Sequence, residues 1–169
     1  ADTAVAVNPK DSKYIKFVGK KVLIPIINRE VKIISDAYVS IEQGTGALKV
    51  TPAHDFNDFE IGKRNKLKFI NIFEKNGKMN KSVPDEFYGM DRFDARTLVV
   101  KKLKEANLLE KIESLKNVVP YGDRSNSIIE PLLTEQWFAD AKFLAKKAIK
   151  VVKQNKTNFF PTNWSKTYF

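Results

Sequence analysis

Apolar residues fall in short alternating runs over the first fifty positions and shift to helical spacing further on. Residues 3–7 alternate weakly and predict a strand. Pro9 stops that run, and residues 11–18 predict a short helix or turn. Two apolar stretches, KVLIPII at 21–27 and VKIIS at 31–35, flank Asn28-Arg29-Glu30. They predict a hairpin in which Pro25 has to sit at an edge or a bulge. Ala47-Leu48-Lys49-Val50-Thr51 predicts a further strand, ended by Pro52. Residues 55–66 predict a helix with Phe56, Phe59 and Ile61 turned inward. Residues 69–73, FINIF, predict another strand, and Asn76-Gly77 a turn.

The clearest helix of the first part spans 92–107. Asp91 is a good N-cap, Asp94 follows three residues on, and Phe93, Thr97, Val100 and Leu103 lie along one stripe. Residues 108–119 predict an extended return. Character changes at Pro120-Tyr121-Gly122-Asp123-Arg124-Ser125, so a boundary or hinge is expected at 114–124, dividing the chain into 1–115 and 116–169. Residues 140–154 predict a basic amphipathic helix with Leu144, Ala148 and Val151 or Val152 on its inner side. Repeats and low-complexity stretches are absent. Short strands mixed with a few helices imply an α/β or barrel-like fold rather than a bundle.

Composition narrows the chemistry. Among 169 residues there is no Cys and a single His, His54, which excludes disulfides, thiolate metal sites and a His-rich metal centre. A chain without Cys fits a reducing compartment. Apolar runs stay well short of the roughly 18 residues of a membrane span, and no signal peptide is visible. The chain starts without Met and ends on aromatics, so it is expected to be a piece of a longer protein. Thirty Lys and Arg against twenty Asp and Glu give a net charge of +10. The surplus is spread, with 22 basic and 16 acidic residues in 1–118 and 8 and 4 in 119–169. Such a surface attracts a polyanion such as RNA, and it also serves simple solubility. Lys dominates, which suits diffuse steering better than reading of bases.

Polar chemistry is densest between Gly44 and Asp58. Lys49 and Thr51 share one face of a strand, and the strand turns directly into a helix. Asp55 and Asp58 lie on that helix's first turn, three apart. Lys, Thr, His54 and two carboxylates are thus candidates for one small pocket, with helix N–H groups facing a developing oxyanion. Each residue also has an ordinary structural use. Asp55 is a good N-cap and Asp58 suits the helix dipole. Lys49 can be solvated, His54 can satisfy a loop carbonyl, and Gly44 and Gly46 of GTG permit a tight turn. GTG lacks the ending of a phosphate-binding P-loop, no nucleophilic triad is visible, and two acids alone are weak support for Mg²⁺.

The stretch GTGALKVTPAHDFNDFEIGKRNKL, residues 44–67, closely resembles the editing domain of valyl-tRNA synthetases, with looser versions in the isoleucyl and leucyl enzymes. DRFDAR at 91–96, RSNSIIEPLLTEQWF at 124–138 and NWSKTYF at 163–169 resemble further family segments, so the resemblance spans the whole chain. Phe59 stands where Tyr is more common, and Asn65 where His is common.

This resemblance implies an editing-domain, barrel-like core in 1–115 with flanking helices. It also implies a mostly helical extension, 116–169, returning toward the synthetic domain. The implied activity is hydrolysis of threonine wrongly esterified to valine tRNA, as part of an ATP-dependent cytoplasmic ligase. Lys49, Thr51, Asp55 and Asp58 match the catalytic pocket positions. Asp58 would hold the substrate's amino group or hydroxyl, and Thr51, Gly44, Thr45, Gly46 and His54 would line the substrate. Editing would need no metal or other cofactor. ATP and Mg would belong to the parent synthetase, whose signatures are missing here. Partners would be the mischarged tRNA and the rest of the synthetase in cis, with no membrane. A pocket-forming family segment upstream of Ala1 is absent from the sequence. A tRNA-binding fragment without turnover is therefore the alternative.

Overall fold

A computed structural model describes residues 1–114, 116 and 118–168. It has two units, Ala1–Leu133 and Thr134–Phe169. The boundary expected between 115 and 116 falls on Leu115, outside the described residues.

In the first unit, β1 (Ala4–Val7), β2 (Lys21–Ile24), β3 (Arg29–Ser35) and β4 (Ala47–Val50) form one sheet in the order β2-β3-β1-β4. β1 runs parallel to β3 and antiparallel to β4, with Val5 opposite Lys49 and Val7 opposite Ala47. β2 and β3 make the expected hairpin. Pro25 sits in its connection, where a missing N–H costs no ladder bond. The sheet is open, with β2 and β4 as edges, so the α/β core is not a closed barrel. Four strands of four to seven residues are too few to wrap onto themselves.

One face of the sheet is covered by α1 (Phe56–Arg64). Ala4, Ala6 and Val50 pack there with Val39 and Ile61, all nearly or fully buried. Two features fix α1 against the sheet. Asp36, just past β3, accepts both arms of Arg64 at 2.8 and 2.7 Å, Asn65 Nδ2 at 3.0 Å and the Tyr38 N–H at 3.0 Å. The Arg64 guanidinium holds its carboxyl below the usual range. At the other contact, a Cβ on Gly62 would stand 2.7 Å from Pro52 Cβ, so only glycine lets the helix lie this close. A second cluster joins Met79 and Phe87 to Ala95 on α2 (Arg92–Glu105).

Three expectations about packing are corrected. Phe56 is 79% exposed. It lies two residues before buried Asp58, which is about 200° round a helix, so the inward stripe is Asp58, Ile61 and Gly62. On α2 the packed stripe is Ala95, Leu98 and Val99 rather than Phe93 and Thr97, displaced for the same reason. FINIF makes no strand. Only Phe73 bridges, to Met79. The donors a ladder would use are taken by side chains: Ile72 N–H goes to His54 Nε2 and Phe73 N–H to Asn71 Oδ1.

The second unit holds α3 (Ala141–Lys153), a 3-10 turn at Thr162–Trp164 and α4 (Ser165–Tyr168). Asp140 caps α3 by accepting the Phe143 N–H at 3.0 Å. Ala145, Ile149 and Val152 are its half-buried positions, while Leu144 and Ala148 face outward, one residue out of phase with the expected stripe. No helix among the described residues is long and apolar enough to cross a membrane.

Candidate active site

β4 ends at Val50, and Pro52 then turns the chain into α1. Asp55 is the N-cap. With extended backbone, its Oδ1 accepts the Asn57 and Asp58 N–H groups at 2.8 and 2.9 Å, and its carbonyl accepts the Phe59 N–H. The Phe59 bond is the first of the helix ladder, so Asp55 takes two of the four free donors of the helix start, those of Asn57 and Asp58. The expected use of those N–H groups for an oxyanion is therefore partly closed.

Asp58 sits one turn on and is only 6% exposed. Its Oδ2 accepts the Thr51 N–H at 2.8 Å, so strand end and helix start are joined through the carboxylate. Burial pushes the Asp58 carboxyl above the usual carboxylate range, and Asp55 and Asp2 push the same way. The Thr51 N–H and Lys49 oppose them. Thr51 is buried, and its hydroxyl accepts from Lys49 Nζ at 2.8 Å and donates to Asp2 Oδ1 at 2.6 Å. Lys49 Nζ lies 4.0 Å from the same Asp2 oxygen. The lysine side chain is mostly exposed, so its ammonium reaches the group from the solvent side.

The structure thus brings Lys49, Thr51, Asp55 and Asp58 together and adds Asp2. Asp2 lies 49 residues before Thr51 and arrives through the pairing of β1 with β4. The carboxylates of Asp2, Asp55 and Asp58 offer acceptors to a substrate ammonium, with Lys49 and the Arg29 guanidinium, which donates to the Asp2 carbonyl, as the neighbouring cations. Nearby, Thr3 Oγ1 is buried without a hydrogen-bond partner among the described residues.

Gly44, Thr45 and Gly46 lie elsewhere. They form the turn at the opposite end of β4, so that even Gly46 lies five rises, about 17 Å, along the strand from Thr51. Gly46 has φ +81°, donates its N–H to Gln43 O, and leaves room for Asp11, which a Cβ would meet at 3.0 Å. The turn borders its own cavity of about 540 Å³, shared with Tyr38, Ser40 and Gln43. The single pocket expected from Gly44 to Asp58 is two places, because an extended strand separates its halves.

His54 is a structural tie. Nε2 accepts the Ile72 N–H at 3.0 Å, so the proton sits on Nδ1, which donates to Pro131 O at 3.1 Å. The ring also meets Phe73 edge-on, with centroids 4.7 Å apart. Burial lowers its pKa, in keeping with a neutral ring. The stabilisation from this tie is therefore full above an unfolded value of about 6.5 and is lost as pH falls through the lower folded value. Thermal melts of the unmutated chain and His54→Ala should differ by about 1–3 kcal/mol at pH 7.5, with the gap narrowing below pH 6. A gap constant from pH 7.5 to 5 would contradict this assignment. No group of three or more His, Cys, Asp or Glu arranged to hold a metal occurs among the described residues.

Residues 3–113 match the family described as leucyl-tRNA synthetase, editing domain. The chain is 61% identical over 168 residues to a valine–tRNA ligase of Pelagibacter ubique, covering 99% of this chain and 19% of that protein. A valine–tRNA ligase of Caulobacter vibrioides is 51% identical over 168 residues, covering 99% and 18%. One from Coxiella burnetii is 49% identical over 167 residues, with the same coverage. The chain thus spans about a fifth of the length of the ligases it matches. Since the family match takes in the four strands, α1, α2 and the whole Asp2–Lys49–Thr51–Asp58 group except Asp2, the chain belongs to the leucyl-tRNA synthetase editing-domain family.

Proposed function

We propose that this editing domain hydrolyses the ester of threonine wrongly attached to valine tRNA, as part of an ATP-dependent valine–tRNA ligase. The observation that carries the reading is the buried Asp58 carboxylate. Oδ2 is held by the Thr51 N–H, which leaves Oδ1 to meet a substrate donor. Valine and threonine are nearly isosteric, so a synthetic pocket rejects threonine only about a hundredfold. A second pocket that hydrogen-bonds the threonine hydroxyl discriminates much further, because valine leaves the buried acceptor unpaired.

In this mechanism the substrate ammonium is drawn by Asp2, Asp55 and Asp58. The threonine hydroxyl donates to Asp58. Water adds to the ester carbonyl, the Lys49 ammonium steadies the charge that develops on the carbonyl oxygen, and the C–O bond to the ribose breaks as the proton given up by the water passes to the departing ribose oxygen, leaving free threonine and the ribose hydroxyl. The terminal hydroxyls of the tRNA position that water. Editing runs without a metal or other cofactor, whereas ATP and Mg serve the synthetic site elsewhere in the ligase. Gly44, Thr45 and Gly46 border the neighbouring cavity, and His54 supports the fold beneath the site. The mischarged tRNA and the rest of the ligase in cis are the partners, in the cytoplasm.

A non-hydrolysable threonyl-adenosine analogue tests the site. Its amino-acid end should bind within hydrogen-bond distance of Asp58 and compete with Thr-tRNA(Val), and the valyl analogue should bind at least about tenfold more weakly. Equal binding of the two would reject the role given to Asp58.

A further inference from the structure

The segment between β1 and β2 carries a surface that the pocket does not use. Within residues 10–21 stand Lys10, Lys13, Lys16, Lys20 and Lys21, interleaved with Tyr14 and Phe17. The ammonium of Lys13 lies 4.7 Å from the Tyr14 ring centroid, and those of Lys16 and Lys20 lie 5.3 and 5.2 Å from that of Phe17. The aromatic rings thus hold the lysines in place over an apolar base. That base is a cavity of about 310 Å³ lined by Tyr14, Phe17, Val5, Val7, Val22, Ile33 and Ala47.

Charge here is compensated only in part, Asp11 acting on the neighbouring Lys13 ammonium. Lys10, Lys13, Lys16 and Lys20 make no ion pair with a described residue. The acid within the segment, Asp11, is buried and turned to the backbone, accepting the Lys13 N–H at 2.8 Å.

The surface leads to the site. Val5 and Ala47 line its apolar base, and Val5 is the cross-strand partner of Lys49. Cross-strand partners share a face of the sheet, so the lysine-aromatic surface and the Lys49 side chain stand on the same face. Ala47 and Lys49 are two strand residues apart, about 7 Å.

We infer that residues 13–20 form a docking surface for the single-stranded, phosphate-bearing end of an RNA whose terminal ester lies at Lys49, Thr51 and Asp58. Lys13, Lys16 and Lys20 neutralise phosphates and Phe17 offers a face on which a base stacks, the combination that binds single strands without reading sequence. This inference rests on the editing reading for the identity of the ester, but the surface can be tested apart from it.

The test compares two triple variants of equal charge change, K13Q/K16Q/K20Q and K142Q/K146Q/K150Q, the second on exposed positions of α3. Valine tRNA is titrated at several salt concentrations. The first variant should bind about tenfold or more weakly near physiological salt, with the log–log salt slope shallower by about 2. The α3 variant should change affinity less than about threefold. Hydrolysis of a threonyl ester of adenosine alone, which has no phosphate to offer these lysines, should be the same in the first variant and the unmutated chain. Unchanged affinity and slope in the first variant, or an equal loss in the α3 variant, would overturn the inference. If the first variant loses affinity as expected while the unmutated chain hydrolyses no threonyl ester, the surface stands and the editing reading fails.

Discussion

Asp58→Asn should fold at least as well as the unmutated chain at neutral pH while hydrolysing Thr-tRNA(Val) about tenfold to a hundredfold more slowly. The amide oxygen still accepts the Thr51 N–H that Asp58 Oδ2 accepts at 2.8 Å, so strand end and helix start stay joined. What disappears is a buried negative charge and an ionic acceptor. Charge-assisted hydrogen bonds contribute roughly 1.5–3 kcal/mol, which sets the expected loss of rate. The stability side has a definite sign. Burial raises the Asp58 pKa, so the folded state takes up a proton more readily than the unfolded one. Stability is greatest below the unfolded value of about 3.9 and declines as pH rises through the folded value. The advantage of Asn should therefore be present at pH 7 and vanish in acid. Asp58→Ala differs. It strands the buried Thr51 N–H and should lose about 1–3 kcal/mol as well as activity. An Asn variant with full activity would make Asp58 a structural carboxylate.

Gly62→Ala should be the most destabilising single-methyl change in the first unit. In an open helix interior this substitution stabilises by about 1 kcal/mol. Here the new Cβ would lie 2.7 and 2.8 Å from Pro52 Cβ and Cγ and 3.2 Å from Phe69 Cζ. Pro52 is fully buried and follows Thr51 directly, so it has nowhere to retreat. Overpacking of this kind costs about 1–3 kcal/mol, and relief requires α1 to move off the sheet, carrying Asp58 away from Thr51. Denaturant melts should register the loss, and hydrolysis should fall even where the variant is fully folded. A stabilised variant with normal activity would show that the helix shifts freely and that its close approach to Pro52 does not hold the site.

Much of the frame was legible in the sequence because it is governed locally. Pro9 and Pro52 punctuate β1 and β4, the apolar runs on either side of Asn28 give the hairpin, and Asp55 and Asp91 cap α1 and α2 where their spacing says they should. What was not legible depends on distant partners. FINIF has the composition of a strand, but His54 and Asn71 take its N–H groups, and His54 is fixed in turn by Pro131, 77 residues away. Asp2 joins the site only through the register of β1 on β4, and no local signal marks it. The separation of Gly44–Gly46 from Asp58 was in principle readable. The strand predicted between them has a fixed rise per residue, and that rise keeps its two ends apart.

The most direct test of the account is the single-turnover rate at which this chain, and a longer ligase containing it, deacylates Thr-tRNA(Val) and Val-tRNA(Val) side by side. The account predicts that the threonyl ester is hydrolysed at least about a hundredfold faster, because its hydroxyl meets the buried Asp58 acceptor and valine cannot. It further predicts that Asp58→Asn removes most of that ratio. Equal rates for the two esters in both proteins, or a ratio that survives Asp58→Asn, would contradict it.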